Sequence, residues 1–183
     1  MQEPIRIVLT GGVSGGHVFP LLAVADAVQR KSPIPTEFLF IGSRGVFEEN
    51  AMQAAGIPMK FVATGKWRRY FSFQNFIDVC KLPWGLVQAL WHLLWFMPDA
   101  IFSKGGSASV PVVVAAWLYR IPVIVHDSDA KPGASTKFMA RFAERVAVAY
   151  PGARQYFPAD KTAVTGNPVR REMTAGVMSE AID

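Results

Sequence analysis

Apolar positions along this chain fall into two kinds of stretch. Short runs rich in β-branched and aromatic residues end in glycine or a polar cluster, and longer stretches with helical spacing lie between them. Ile5–Leu9 ends in Thr10 and a glycine cluster and predicts a strand buried on both faces. A helix is expected over Val18–Arg30, stopped by Ser32, Pro33 and Pro35. Glu37–Ile41 predicts a second strand. Val46–Ala55 predicts a helix closed by Gly56, which suits a left-handed cap. Strands follow at Met59–Ala63, Ala100–Ser103, Pro122–His126, Arg145–Ala149 and Thr162–Thr165, and helices at Trp84–Met97, Ser109–Tyr119 and Ala134–Ala143. Repeated strand–helix units predict an α/β fold: a Rossmann-like parallel sheet with right-handed crossovers and helices on both faces. Ligands then bind beyond the carboxyl ends of the strands.

Composition narrows the class. The 183 residues are 51% apolar and 18% charged, which excludes a disordered chain and fits one domain. The single cysteine, Cys80, excludes a disulfide framework and reads as a packing residue; three histidines leave little material for a metal site. A net charge of +5 fits an anionic partner, and no nucleic-acid partner is expected. The start, MQEPIRIVLT, lacks the basic head and long apolar run of a signal peptide. The 17 uncharged residues between Lys81 and Asp99 fall short of the roughly 20 that a spanning helix needs. A reducing cytosol is therefore the expected compartment.

Three loops at predicted strand ends carry the candidate chemistry. GGVSGGH, Gly11 to His17, follows the first strand and opens the first helix. Glycines let backbone approach a ligand, and free N–H groups at a helix start attract anions. The spacing matches neither a P-loop nor G-x-G-x-x-G, and Arg44 stands where a dinucleotide site wants an acid. A purely structural tight turn is the other possibility. SKGGSAS, Ser103 to Ser109, repeats the logic with Lys104 beside Gly105, Gly106 and Ser107; two such loops at neighbouring strand ends suit one elongated phosphate ligand, such as a diphosphate. HDSDAKPG, His126 to Gly133, brings an imidazole, Asp127 and Asp129 to the same edge. His17 can act as a base toward a hydroxyl near neutral pH, or can donate a hydrogen bond to a phosphate. His126 reads as an orienting residue and His92 as a surface or packing one.

GGVSGGHVFPLLAVADAV, FIGSRGVFE, AAGIP, GGSASVP, IPVIVHDSD and TGNPVR, in that order, resemble the N-terminal domain of the MurG family, glycosyltransferase family 28. The resemblance covers most of residues 5–172. It implies the two-domain GT-B fold and an inverting, metal-independent transfer of N-acetylglucosamine from UDP-GlcNAc to undecaprenyl-diphosphate-linked N-acetylmuramoyl pentapeptide. It implies no cofactor, and residues 1–170 as the domain that receives the lipid-linked acceptor. Gly12, Ser14, Gly15, Gly16 and His17 match the first family loop, with serine for the usual threonine. Gly105 and Gly106 match the second, with Ser107 for tyrosine. His126 matches the third, with Asp127 for glutamate, Asp129 for asparagine and Thr136 for a further asparagine. Asn167 and Arg170 match the stretch that ends the domain on the donor side. The resemblance gives His17 the role of base and the glycine loops that of diphosphate cradle. Asp127-Ser128-Asp129 has the letters of a metal motif but belongs to the third loop.

Residues 171–183 are expected to begin an interdomain linker or a truncated tail, the UDP-GlcNAc domain being supplied by a longer chain or a partner. Either the chain is the catalytic half of a lipid-linked glycosyltransferase, or it is a non-catalytic acceptor-binding and membrane-docking module. On a helical wheel of about 100° per residue, Leu86, Leu90, Leu93, Leu94 and Met97 form a core-facing stripe, while Trp84, Trp91 and Trp95 cluster on another side. Indole favours the bilayer interface, and Lys66, Trp67, Arg68 and Arg69 lie just upstream. Peripheral attachment to an anionic membrane, the cytoplasmic face of the bacterial plasma membrane, is the expected location.

Overall fold

The computed structural model describes residues 3–12, 15–64 and 73–170. Seven parallel strands form one sheet: β1 (Ile5–Thr10), β2 (Thr36–Gly42), β3 (Met59–Phe61), β4 (Ala100–Ser103), β5 (Val123–Asp127), β6 (Arg145–Val148) and β7 (Thr162–Val164). Their spatial order is β3-β2-β1-β4-β5-β6-β7. The helices are α1 (Gly15–Lys31), α2 (Val46–Ala54), α3 (Phe73–Phe96), α4 (Ser109–Leu118) and α5 (Ala134–Met139). The 3-10 helices Pro151–Tyr156 and Ala159–Lys161, which no sequence signal pointed to, connect β6 to β7.

Side-chain alternation along each strand sorts the core into two layers. Leu9, Phe38 and Phe40 pack under α1 and α2 with Val18, Leu21 and Met52. Val8, Leu39, Ile41, Ile101 and Val125 pack on the other side, under α3, α4 and α5, with Leu93, Val112 and Met139. Helices on both faces are what buried parallel strands require. The chain's order reverses between β1 and β4: β1 leads to a helix on one face, β4 to a helix on the other. The two loops therefore diverge from adjacent strand ends and leave a crevice between them.

Two helix boundaries differ most from expectation, and α1 also starts earlier, at Gly15 rather than Val18. The helix predicted from Trp84 starts at Phe73 and runs through Pro83. Proline removes one helical hydrogen bond and usually ends a helix, but packing of the neighbouring turns can hold it. The buried stripe of α3 is Gly85, Ala89 and Leu93, flanked by half-buried Leu86, Leu90 and Phe96. Leu94 and Met97, expected in the core, are exposed: Leu94 lies beyond the stripe's edge, and Met97 follows the last turn with φ 47°. At the other boundary, α5 ends at Met139. The chain tightens there through Arg141 N–H to Phe138 O at 3.2 Å and Phe142 N–H to Met139 O at 3.0 Å. The cap predicted at Gly56 is present, with φ 67° and Ile57 N–H donating to Met52 O at 2.9 Å.

Among the described residues, no helix is long and apolar enough to cross a membrane.

Candidate active site at the switch point of the sheet

The three predicted loops meet at the carboxyl edge of the sheet. Thr10 pairs with Ser103 at the ends of β1 and β4, and the Lys104 N–H extends the ladder to Thr10 O at 2.8 Å. A relay of hydroxyls then fixes the second loop from beneath. Thr10 Oγ1 donates to Ser109 Oγ at 3.2 Å, Ser109 Oγ to Gly105 O at 2.9 Å, and Gly105 N–H to Ser103 Oγ at 3.3 Å. The three serines of this loop thus divide: Ser103 and Ser109 are buried and structural, and Ser107 faces solvent.

Glycine is required where the loops touch. Gly105 and Gly106 have φ of 87° and 90°. A Cβ on Gly106 would stand 2.7 Å from the Gly12 Cα and 2.9 Å from its nitrogen. A Cβ on Gly105 would stand 3.0 Å from Thr136 Oγ1 on α5, so the third loop's helix closes on the second loop. The His17 ring lies over Gly12, with Cε1 and Nδ1 3.3 Å from where a Cβ would be. Gly12 is buried, Gly15 and His17 are half-buried, and Gly16 is exposed at the first turn of α1.

The charges are arranged around Lys104. It is only 5% exposed, and among the described residues its ammonium makes no hydrogen bond and no ion pair. Burial lowers its pKa, while Asp127 and Asp129 act in the opposite direction. Asp127 is buried at the end of β5, and its Oδ1 accepts the Asp129 N–H at 2.8 Å; Asp129 itself is exposed. The pKa of His17 is lowered first by burial and then by Lys104, against the pull of Asp129, Asp127 and Glu48. A neutral imidazole at pH 7 is the form that can accept a proton.

These glycine loops and the sheet that carries them can now be set beside known proteins. The glycosyltransferase family 28 N-terminal domain matches residues 7–148. The chain belongs to glycosyltransferase family 28. As a family 28 domain it is 43% identical over 169 residues to a UDP-N-acetylglucosamine–N-acetylmuramyl-(pentapeptide) pyrophosphoryl-undecaprenol N-acetylglucosamine transferase of Treponema pallidum, covering 91% of this chain and 44% of that protein. It is 40% identical over 171 residues to a transferase of the same name from Bacillus cereus, covering 93% and 48%. The crystal structure of Acinetobacter baumannii MurG superposes with a TM-score of 0.74 at 25% identity, over 93% of this chain and 47% of that one. UDP-GlcNAc 2-epimerase from Neisseria meningitidis, at 13% identity and a TM-score of 0.69 over 97% of this chain and 51% of that one, shares the fold. The chain spans about half the length of the curated relatives it matches.

The family 28 domain also contains groups that motif reading did not place. Glu48, in the first turn of α2, is buried and acts on His17; it ends the matched segment FIGSRGVFE, which by itself gives it no role. His126 is 1% exposed, and its Nε2 lies 2.9 Å from Gly166 O, which fixes the tautomer with Nε2 as donor. The orienting role expected for His126 thus has a specific object, the 165–170 stretch beyond β7. In that stretch Asn167 and Arg170 are exposed, and Arg170 stacks over the Phe19 ring at 4.5 Å. Ser14, Lys66, Trp67, Arg68, Arg69, the Cys80 side chain and residues 171–183 lie outside the described residues.

Among the described residues the buried Nδ1 of His126 has no hydrogen-bond partner, so protonation would place an unpaired donor in the core. Burial accordingly lowers the His126 pKa, with Lys104 adding to the effect and the Gly166 carbonyl and Asp127 opposing it. The unfolded chain takes up these protons more readily than the folded one. Stability is therefore complete above the ordinary imidazole value of 6.5 and is lost as pH falls below it. Urea midpoints should fall between pH 7.5 and pH 5.5, and fall less in His126→Asn. An equal fall in both proteins would show that His126 does not sense pH.

Proposed function

We propose that this chain is the acceptor half of an N-acetylglucosamine transferase acting on undecaprenyl-diphosphate-linked N-acetylmuramoyl pentapeptide, the step that forms lipid II in peptidoglycan synthesis. The observation that carries the proposal is Lys104: a buried lysine whose ammonium has, among the described residues, no ion pair, set between two glycine loops, beside a neutral imidazole. A buried cation of this kind suits an anionic ligand, and a diphosphate fits both the charge and the N–H-rich backbone around it. The names of the Treponema and Bacillus relatives give that diphosphate a chemical setting.

In this reading the diphosphate rests against Gly12, Gly15, Gly16, Gly105 and Gly106, with Ser14 and Ser107 at its margins and Lys104 beneath it. Asp127 and Asp129 orient the acceptor, and His17 accepts the proton of its sugar hydroxyl. That oxygen attacks the donor's anomeric carbon from the face opposite UDP; the bond from carbon to the diphosphate oxygen breaks, and the configuration inverts. Donor binding and stabilisation of the departing UDP belong to a second domain, reached through Asn167 and Arg170. Residues 1–170 form the acceptor domain, and no cofactor takes part. The test is transfer with the donor-binding half supplied. His17→Ala should lower kcat by about 10²- to 10⁴-fold, the usual loss for a general base. Near-normal turnover would remove His17 from that role, and robust transfer by residues 1–183 alone would overturn the division into halves.

Membrane attachment is the second part of the reading. Trp84, Trp91 and Trp95 are 60%, 58% and 71% exposed on the outward side of α3, with Val87 and Leu94 beside them. A patch of this kind marks a contact surface, and indoles favour the headgroup level. α3 begins on the same edge as the glycine loops and runs away from it, with Trp84 nearer that edge than Trp91 and Trp95. Lys66, Arg68 and Arg69 add basic charge, and Trp67 a further indole, for an anionic leaflet at the cytoplasmic side of the plasma membrane. Vesicles containing anionic lipid should co-sediment with the parent protein at low salt and release it at high salt. Trp91→Gln/Trp95→Gln and Arg68→Glu/Arg69→Glu should each weaken binding; unchanged binding in both would refute this attachment.

A further inference from the structure

The chain leaves the sheet after β7 by a constrained path. The Thr165 N–H still follows the ladder and donates to Val148 O at 2.9 Å; Gly166 then turns with φ 76°, in the left-handed region that favours glycine. Its carbonyl accepts from His126 Nε2 at 2.9 Å, at the end of β5. Pro168 fixes its own φ and restricts Asn167 before it, which stiffens the stretch. Pro168 is half-buried while Asn167, Val169 and Arg170 are exposed, so one side of the stretch lies against the protein. Its far end is seated on α1, where the Arg170 guanidinium covers the Phe19 ring at 4.5 Å.

The two anchors stand on opposite sides of the ligand edge. In the sheet, β4 and β1 follow β5, so β5 and β1 lie two strand spacings apart, about 10 Å. The step from Gly166 to Arg170 extends at most about 14 Å. The stretch thus spans the ends of β4 and β1, from which both glycine loops spring, with little slack. The Phe19 seat is itself built on the first loop. A Cβ on Gly15 would stand 3.3 Å from Phe19 Cε2 and 3.4 Å from Phe47 Cζ, and the two rings meet edge to face at 5.4 Å.

We propose that Phe19 and His126 are positioning residues that hold residues 165–170 as a strap across the ends of β4 and β1 and fix Arg170 beside the first glycine loop. The strap's role in the reaction rests on the transferase reading above, in which Arg170 stands on the donor side. A guanidinium seated by its face keeps its N–H donors free in its own plane. Among the described residues Arg170 has no ion pair, so those donors stay available.

The test joins NMR of the chain alone with kinetics, the donor-binding half being supplied for the latter. Stacking on Phe19 should shift the Arg170 side-chain protons upfield. His126→Leu, at the other end of the strap, should abolish that shift, and His126→Gln, which keeps an N–H donor, should restore it. In transfer, Phe19→Leu and His126→Leu should each raise donor KM about tenfold, the size of one lost bond to a charged group, with acceptor KM unchanged. The double variant should resemble either single one, because both act on one segment. An unaltered Arg170 shift in folded His126→Leu would refute the strap and leave the transferase reading standing. Should His126→Leu not fold, Phe19→Leu, at an exposed position, decides: unchanged donor KM would refute the role of the seat. Absence of transfer by the parent protein would overturn the transferase reading and the strap's role in it.

Discussion

Everything at the site hangs on the pairing of β1 with β4. The ladder runs on past the two strands through the Lys104 N–H to Thr10 O, at 2.8 Å, and so brings two glycine loops together before either turns into its helix. Beyond that bond the backbones of Gly106 and Gly12 approach so closely that a single methyl group would part them. The contact fixes the width of the crevice, buries the stem of Lys104 and turns the first helical turn, with His17, toward the same opening. The hydroxyl relay through Thr10, Ser109 and Gly105 holds the second loop from below, where the core is dry.

Placing a lysine there has electrostatic consequences for both histidines. Burial first, and the ammonium after it, hold His17 and His126 toward their neutral forms, and Asp127 partly offsets this at each ring. An anionic ligand over Lys104 would relieve the cost of its burial and at the same time make a proton on His17 less unfavourable. Binding of an anion there and the basicity of His17 would thereby be coupled through one charge. His126 extends the coupling outward, since its bond to the Gly166 carbonyl ties the strand end of the third loop to the segment that leaves the sheet after β7.

Local pattern was sufficient for the sheet and its loops. Ala100–Ser103 matches its predicted bounds, and the glycine clusters mark strand ends because only glycine allows the backbones to meet there. The loops at the predicted strand ends located His17, Lys104 and His126, and these loops converge. What escaped depends on contacts across the fold. Pro83 reads as a helix boundary, yet α3 runs through it. Leu94 is as apolar as its neighbour Leu93, and only the direction of the sheet decides that Leu93 is buried and Leu94 is not. Glu48 looks like one more acid at a helix start; its burial comes from α2 lying against the first loop. The partner of His126 is 40 residues away and has no side chain to announce it.

The central claim is that the three loops form one anion-receiving edge built around Lys104. Amide NMR shifts, followed during titration with a soluble short-chain prenyl-diphosphate sugar, test it most directly. The account predicts saturable shifts at Gly12, Gly15, Gly16, Lys104, Gly105 and Gly106, abolished in Lys104→Met. Saturable shifts confined to α3, or an unchanged response in Lys104→Met, would contradict it.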